Sequence, residues 1–72
     1  MDEHEKIEFG TEIIATLHNV EETAQEDLCK FGIEKIIGIP KGAIKTDLKK
    51  FIGRRIAIAN FGPDGYRLRV IK

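Results

Sequence analysis

The segment from Lys6 to His18 alternates apolar and polar residues with a period of two. Most of its odd-numbered positions are apolar: Ile7, Phe9, Ile13, Ala15 and Leu17. Such alternation is typical of a half-buried strand, because successive side chains of a strand point to opposite faces. Gly10 interrupts the run, and a glycine inside a strand often marks a bulge or bend. The pattern predicts one long strand that curls around a small barrel.

Residues 19–31 change to a helical period. Four apolar residues recur at helical spacing: Val20, Ala24, Leu28 and Phe31. Two segments, Asn19–Glu22 and Thr23–Glu26, have the spacing of a capping box. Gly32 suits the left-handed residue that closes a helix. We predict a short helix here, with an irregular acidic loop as the alternative.

Two further elements follow before the last third of the chain. Residues 33–39 are apolar on both faces, which favours a central strand that ends at Pro40, because proline lacks the ladder donor. Residues 46–53 predict a helix of one or two turns that Gly53 ends. In this helix Thr46 is the predicted N-cap, and the side chains predicted to face the core are Leu48, Phe51 and Ile52.

The C-terminal third predicts a β-hairpin. Residues 54–61 and 66–72 have strand character, and residues 62–65 read Gly-Pro-Asp-Gly, a four-residue turn with proline at its second position. The side chains predicted to face inward are Ile56, Ile58, Tyr66, Leu68 and Val70.

These elements predict a mainly β fold. We expect one domain over residues 1–72, a small, highly curved β-barrel of about four to six strands with one or two short helices, in which residues 1–5 form a frayed tail. A chain of 72 residues has only a marginal core. Cys29 is the single cysteine, so no disulfide supports the fold, and we expect a cytoplasmic protein. No run approaches the roughly 18 apolar residues of a membrane span, and twelve isoleucines resemble a thermophilic composition.

Charge is sorted along the chain. Residues 1–27 carry nine acids and one base, a net charge of −8, whereas residues 28–72 carry eleven bases and three acids, a net charge of +8. The asymmetry indicates either a basic surface for a polyanion or two halves that neutralise each other. Two further interpretations of the acidic half are a solubilising face and a surface that mimics a polyanion.

The basic half suggests a nucleic-acid interface. Clustered cationic side chains bind phosphates without base specificity, and aromatic rings stack on unpaired bases. Phe61 lies near the same turn as Tyr66 and offers a second such ring. The alternative is a solvated outer face that protects an edge strand. The predicted nucleic-acid-binding residues are Lys41, Lys49, Lys50, Arg54, Arg55, Tyr66, Arg67 and Arg69.

One stretch of motifs carries a family resemblance. Ile-Pro-Lys at residues 39–41 leads through a short helix to Gly53, a second strand and an Asp-Gly turn at residues 64–65. Residues 30–72 thereby resemble the AbrB/MazE-type swapped-hairpin domains. The resemblance implies an intertwined dimer that binds DNA, with Lys41, Arg54 and Arg55 at the matching positions. The chain departs from that pattern at residues 32–33 and 53–54, where the family usually has Gly-Asn and Gly-Asp. A small β-barrel protein of archaeal type is an equally good match, and its fold says nothing about activity.

Nothing in the sequence indicates an enzyme. His4, His18 and Cys29 do not have the spacing of metal ligands, so we expect no metal, no cofactor and no catalytic residues. Cys29 is predicted to be a small packing residue. We therefore expect a non-enzymatic protein that binds DNA or RNA as a homodimer and binds neither a membrane nor a small-molecule substrate. The alternative is a protein-interaction or assembly module that uses exposed strand edges and the acidic N-terminal half.

Overall fold

The computed structural model describes residues 5–32 and 35–72, which form seven strands and two short 3₁₀-helices. The 3₁₀-helices span Leu48–Phe51 and Gly62–Asp64. The mainly β class is confirmed, but the described residues have seven strands rather than four to six. These are β1 (Glu5–Lys6), β2 (Glu12–Thr16), β3 (Asn19–Glu22), β4 (Glu26–Lys30), β5 (Ile36–Pro40), β6 (Arg55–Asn60) and β7 (Tyr66–Val70).

The strands lie in two sheets. Sheet A has the strand order β1-β5-β4-β3, and sheet B has the order β2-β6-β7. The pairing of β1 with β5 is parallel, and the other pairings are antiparallel. The pairings among residues 5–32 and 35–72 do not join the sheets into a closed barrel, so barrel closure stays a prediction.

The alternating N-terminal segment is two strands, not the single long strand predicted. Gly10 has φ +83° and donates its N–H to the carbonyl of Asn60 (2.8 Å), so the chain turns there and passes from sheet A to sheet B. The predicted bend is therefore confirmed. Ile7 before the turn and Leu17 after it are both buried. Of the predicted tail, residues 1–4 lie outside the described residues, and Glu5 pairs with Ile37 in β1.

The prediction of a helix over residues 19–31 is wrong, because β3 and β4 form an antiparallel hairpin there. The Thr23–Glu26 pattern does form a cap, but of a turn: the Thr23 hydroxyl accepts the Glu26 N–H (3.0 Å), and the Glu26 carbonyl accepts the Thr23 N–H (2.8 Å). Because β4 also pairs with β5, its backbone bonds on both edges, which outweighs the weak helical pattern. Gly32 has positive φ, yet it closes no helix.

The middle of the chain agrees largely with the prediction. β5 lies between β1 and β4 and ends at Pro40, so the central strand is confirmed for Ile36–Pro40; Ile33 lies outside the described residues. Residues 46–53 contain only the 3₁₀-helix Leu48–Phe51. Its N-cap is Asp47 rather than Thr46, because the Asp47 carboxylate accepts the Lys49 N–H (3.1 Å).

Two side-chain positions around this 3₁₀-helix differ in outcome. Leu48 is buried as predicted, whereas Ile52 is 41% exposed, since the helix ends one residue before it. Gly53, at φ +88°, turns the chain toward β6, and its N–H binds the Leu17 carbonyl (2.7 Å).

The predicted C-terminal hairpin is confirmed: β6 pairs with β7 across the short 3₁₀-helix Gly62–Asp64. The side chains predicted to face inward all belong to or pack against one buried cluster. That cluster draws on both sheets. Its members less than 2% exposed are Leu17, Cys29, Ile37, Ile39, Ile56 and Ile58. Full burial of such a side chain contributes about 1.5–3 kcal/mol, so this cluster is the main source of stability in the described structure.

Candidate nucleic-acid interface

Three of the eight predicted binding residues share one face of sheet B. Arg67 lies opposite Ala59 and Arg69 opposite Ala57 in the register of β6 and β7. Arg55 lies on the same face, because it precedes Ala57 by two residues in β6 while Ile56 enters the core. We call this outward side of β6 and β7 the arginine face. Alternation along the two strands is enough to place these three arginines on one side.

The arginine face keeps most of its positive charge. Among the described residues, Arg55 and Arg67 have no carboxylate within ion-pair distance. Arg69 Nη2 lies 3.5 Å from Glu12 Oε2, and the Arg69 side chain is 64% exposed. An ion pair so exposed contributes only about 0–1 kcal/mol, so a phosphate can replace Glu12 at little energetic cost. Arg54, also exposed, precedes the strand.

One exposed aromatic ring lies beside Arg67, and a second lies against the turn between β6 and β7. The Arg67 guanidinium carbon is 5.6 Å from the centre of the Phe61 ring, within cation–π range, and Phe61 is 48% exposed. Phe9 is 72% exposed and lies against the backbone of Gly62, where a Cβ atom would come within 2.6 Å of the Phe9 ring. Gly62 also has φ +67°, so both the close contact and the backbone conformation require glycine.

Phe9 is a surface aromatic that the sequence reasoning missed. The alternating pattern placed it on the inward face together with Ile7. The available signal was Gly10, because a turn at that glycine takes the preceding residue out of the strand. Between Phe61 and the arginines of β7 lies a shallow hollow of about 170 Å³. Its lining includes Glu12, Ala59, Phe61, Leu68 and both arginines of β7.

Lys41 and Lys49 lie elsewhere, against the hairpin of β3 and β4. Lys41 Nζ is 3.1 Å from Glu22 Oε1 and 3.0 Å from Asp27 Oδ1, and Lys49 Nζ is 3.1 Å from Glu22 Oε2. Hydrogen bonds to Asp27 and then Glu22 raise the pKa of Lys41, and hydrogen bonds from Lys49 and then Lys41 lower the pKa of Glu22. Both lysines are therefore occupied by carboxylates and are separate from the arginine face.

The strand register explains why Lys41 lies there. Glu22 is directly opposite Asp27 in the pairing of β3 with β4. Two like charges directly opposite on a sheet repel each other. Lys41 bonds to both carboxylates and so removes that repulsion. On the same hairpin Lys30 Nζ pairs with Glu21 Oε1 at 3.2 Å. The interpretation that the acidic half pairs with the basic half is confirmed at these positions.

The remaining predicted residues are separate from both groups. Lys50 is exposed on the first 3₁₀-helix. Tyr66, at the start of β7, is half-buried and packs against the core. It lines a groove between residues 43–46 and residues 63–68 with a volume of about 470 Å³. The structure thus brings together Arg55, Arg67 and Arg69 with Phe61. It places Lys41 and Lys49 in an ion-pair cluster with carboxylates of the hairpin of β3 and β4.

Cys29 is a packing residue, as predicted. It is fully buried in the core cluster, and burial followed by the nearby Asp27 charge raises the pKa of its thiol to about 11. Since the thiolate is the reactive form, this thiol is a poor nucleophile at neutral pH. His18 is exposed, and His4 lies outside the described residues.

Comparison with models of known families, with characterised proteins and with solved structures finds no match to this chain. The resemblance to AbrB/MazE-type domains therefore stays a prediction. In the described part of the chain, no helix has the length and apolar character needed to span a membrane.

Proposed function

We propose that this chain is a non-enzymatic nucleic-acid-binding domain, with the small curved barrel architecture predicted from its sequence, and that the arginine face is its binding surface. One observation carries the proposal. The arginines at positions 55, 67 and 69 project from one side of two adjacent strands beside an exposed phenylalanine, and two of them have no ion-pair partner among the described residues. Arginine binds phosphate through its planar fork of donors, and its contacts release counterions.

The ion pairs of sheet A support this choice of surface. Lys30, Lys41 and Lys49 already bind carboxylates of the hairpin of β3 and β4. The zero net charge of the whole chain therefore hides a local surplus on sheet B. A polyanion approaching the domain is attracted to the arginine face, because the lysine charges of sheet A are largely neutralised by their neighbours.

The test is a fluorescence-anisotropy titration with labelled oligonucleotides at about 50 mM and about 200 mM salt. Three phosphate contacts predict that the logarithm of the binding constant falls with the logarithm of salt concentration, with a slope of about −2 for single strands and about −3 for duplex DNA. The double variant Arg67→Glu, Arg69→Glu is expected to lose binding by more than about tenfold at the lower salt. Neither side chain enters the core, so the fold is retained.

A matched control carries the same charge change at sheet A: Lys6→Glu in β1 together with Lys35→Glu just before β5. Both lysines are exposed, and the ion pair of Lys6 Nζ with Glu26 Oε2 is long at 3.9 Å. This variant is expected to bind nearly as the wild type does. Equal losses in both variants would mean that only net charge matters, and no binding by the wild type at about 50 mM salt would refute the proposal.

A second candidate is an interaction or assembly module that pairs by strand addition. The observation in its favour is that, in the strand pairings of the described residues, β2 and β7 lie at the edges of sheet B. A second copy of this chain or an extended peptide can pair with such an edge. A pull-down that resists nuclease, together with a failed oligonucleotide titration, would favour it. Light scattering tests whether the partner is a second copy.

A further inference from the structure

The groove between residues 43–46 and 63–68, which we call the groove behind Tyr66, is larger than the two hollows beside Phe61. The two hollows beside Phe61 have volumes of about 170 and 190 Å³. Sites that hold small organic groups usually span about 300–1,000 Å³. The groove between residues 43–46 and 63–68, at about 470 Å³, falls well within this range. A cleft against the acidic hairpin measures about 290 Å³.

The lining of the groove suits a flat aromatic group that carries negative charge. Tyr66 and Phe51, which are half-buried, line it, and so do the exposed residues Lys45 and Arg67. Neither cation has a carboxylate within ion-pair distance among the described residues. Asp64 is the one acid in the lining, so the two cations give the lining a net positive charge.

The smaller cleft lacks this surplus. Three lysines line this cleft, but three carboxylates line it as well: Glu22, Asp27 and Asp47. Glu22 and Asp27 already hold Lys41, and Glu22 also holds Lys49. A phosphate that binds Lys41 or Lys49 there would have to displace a carboxylate, whereas Lys45 and Arg67 at the groove are held by none among the described residues.

The groove is continuous with the arginine face. Arg67 and Leu68 line both the groove and the hollow beside Phe61. These two residues belong to β7, which is the edge strand of sheet B. A ligand that lies on the arginine face can therefore cross the edge of the sheet at Arg67 and place one ring in the groove.

We infer that the ligand is a single-stranded nucleic acid, with its phosphates on the arginine face and one unpaired base in the groove behind Tyr66. This inference rests on the proposed function and narrows it. A paired base is stacked on its neighbours inside the duplex, and it reaches a side pocket only after it has left the stack. An unpaired base has a free ring face and stacks on aromatic side chains at little cost.

Tyr66 itself provides the measurement, because the chain has one tyrosine and no tryptophan. Its intrinsic fluorescence in the wild-type protein is followed during titration with an oligonucleotide of about 12 nucleotides. The arms are single-stranded DNA, single-stranded RNA, the matching duplex and an abasic strand of the same length. Free N-acetyltyrosinamide corrects for absorption by the bases. We expect the emission to change with the two base-containing single strands and to stay constant with the duplex and the abasic strand.

Anisotropy on the same four ligands gives the affinities. Single strands are expected to bind roughly tenfold more tightly than the abasic strand, the effect of about one stacked base. Lys45→Ala, at an exposed position, should weaken single-strand binding severalfold, and Tyr66→Phe should retain it because the ring remains. A response to only DNA or only RNA assigns the natural ligand and supports the inference.

The outcomes separate this inference from the proposed function. If duplex, abasic and single strands bind equally and the emission of Tyr66 does not change, the groove holds no base and the inference is refuted. If binding in that case is still lost in the Arg67→Glu, Arg69→Glu variant, the proposed function stands. If no oligonucleotide binds at about 50 mM salt, both are refuted.

Discussion

The hairpin of β3 and β4 and the hairpin of β6 and β7 are both strongly charged, yet they treat their charges differently. On the first hairpin, Glu21, Glu22 and Asp27 all lie within ion-pair distance of a lysine. On the second, Arg55 and Arg67 have no such partner among the described residues. Charge that is neutralised within the fold stabilises a surface, whereas charge left without a partner is available to a ligand. Net charge along the sequence does not distinguish the two.

The largest expected effect is on the free energy of unfolding, because the two hairpins share one core. Ile37 of sheet A and Ile58 of sheet B are both buried in one cluster. Ile37→Ala and Ile58→Ala should each lower the free energy of unfolding by about 2–5 kcal/mol, since each leaves a cavity. Urea denaturation followed by circular dichroism measures the loss. A single transition in both variants is expected, and separate transitions for the two sheets would contradict a common core.

The next effect is on binding. Arg55→Ala should weaken nucleic-acid binding severalfold and lower the magnitude of the salt slope by about one, because it removes one phosphate contact. Lys41→Ala removes a cation of the same charge that is held by Glu22 and Asp27. Anisotropy at several salt concentrations should show little change for Lys41→Ala. A larger loss for Lys41→Ala than for Arg55→Ala would reverse the comparison between the hairpins.

Lys41→Ala should instead reduce stability, by less than the core variants do. Without Lys41, Glu22 and Asp27 face each other directly across the strands with their charges less compensated. The expected result is a lower thermal midpoint at pH 7. The triple variant Lys41→Ala, Glu22→Gln, Asp27→Asn should recover part of the loss, because the repulsion is gone. Failure of this recovery would show that Lys41 stabilises the hairpin by packing.

The smallest effect is on the pH dependence of stability. The pKa of Glu22 is lowered in the folded protein, chiefly by Lys49. Its contribution is thus present above the ordinary value of 4.5 and is lost as pH falls through the lowered pKa. The raised pKa of Lys41 gives the opposite case: its contribution is present below 10.5 and is lost as pH rises through the raised pKa.

Thermal melts between pH 7 and pH 2.5 check this for Glu22. Glu22→Gln should flatten the acid limb slightly relative to the wild type. Glu12→Gln is the matched control, because Glu12 belongs to the arginine face and its bond to Arg69 is long. An identical change in both variants would mean that the effect is general and not specific to the ion-pair cluster.

The sequence predicted best where local chemistry decides the structure. The C-terminal hairpin follows from a Gly-Pro-Asp-Gly turn between two apolar runs, and β5 ends at Pro40 because proline has no donor for the ladder. The burial of Ile56 and Ile58 follows from alternation alone. At these positions local preference and tertiary packing agree.

The predictions from sequence were wrong where one local pattern is compatible with two structures. Thr23 and Glu26 form the hydrogen bonds that a capping box suggests, but these bonds close a hairpin turn, because β4 pairs with β3 and β5 on its two edges. Phe9 fits an inward strand position, but the turn at Gly10 leaves it 72% exposed. The hairpin is visible only from the strand pairings, whereas Gly10 was a signal in the sequence for the exposure of Phe9.

The sequence by itself determined the mainly β class, the C-terminal hairpin, the isoleucine core and the orientation of the arginines, because each depends on alternation or turn chemistry over a few residues. The tertiary structure alone decided which charges remain available. Lys41 meets Glu22 from 19 residues away, and Arg69 meets Glu12 from 57 residues away. Ion pairing requires atoms within a few ångströms, and only the register and packing of the strands bring such distant residues together.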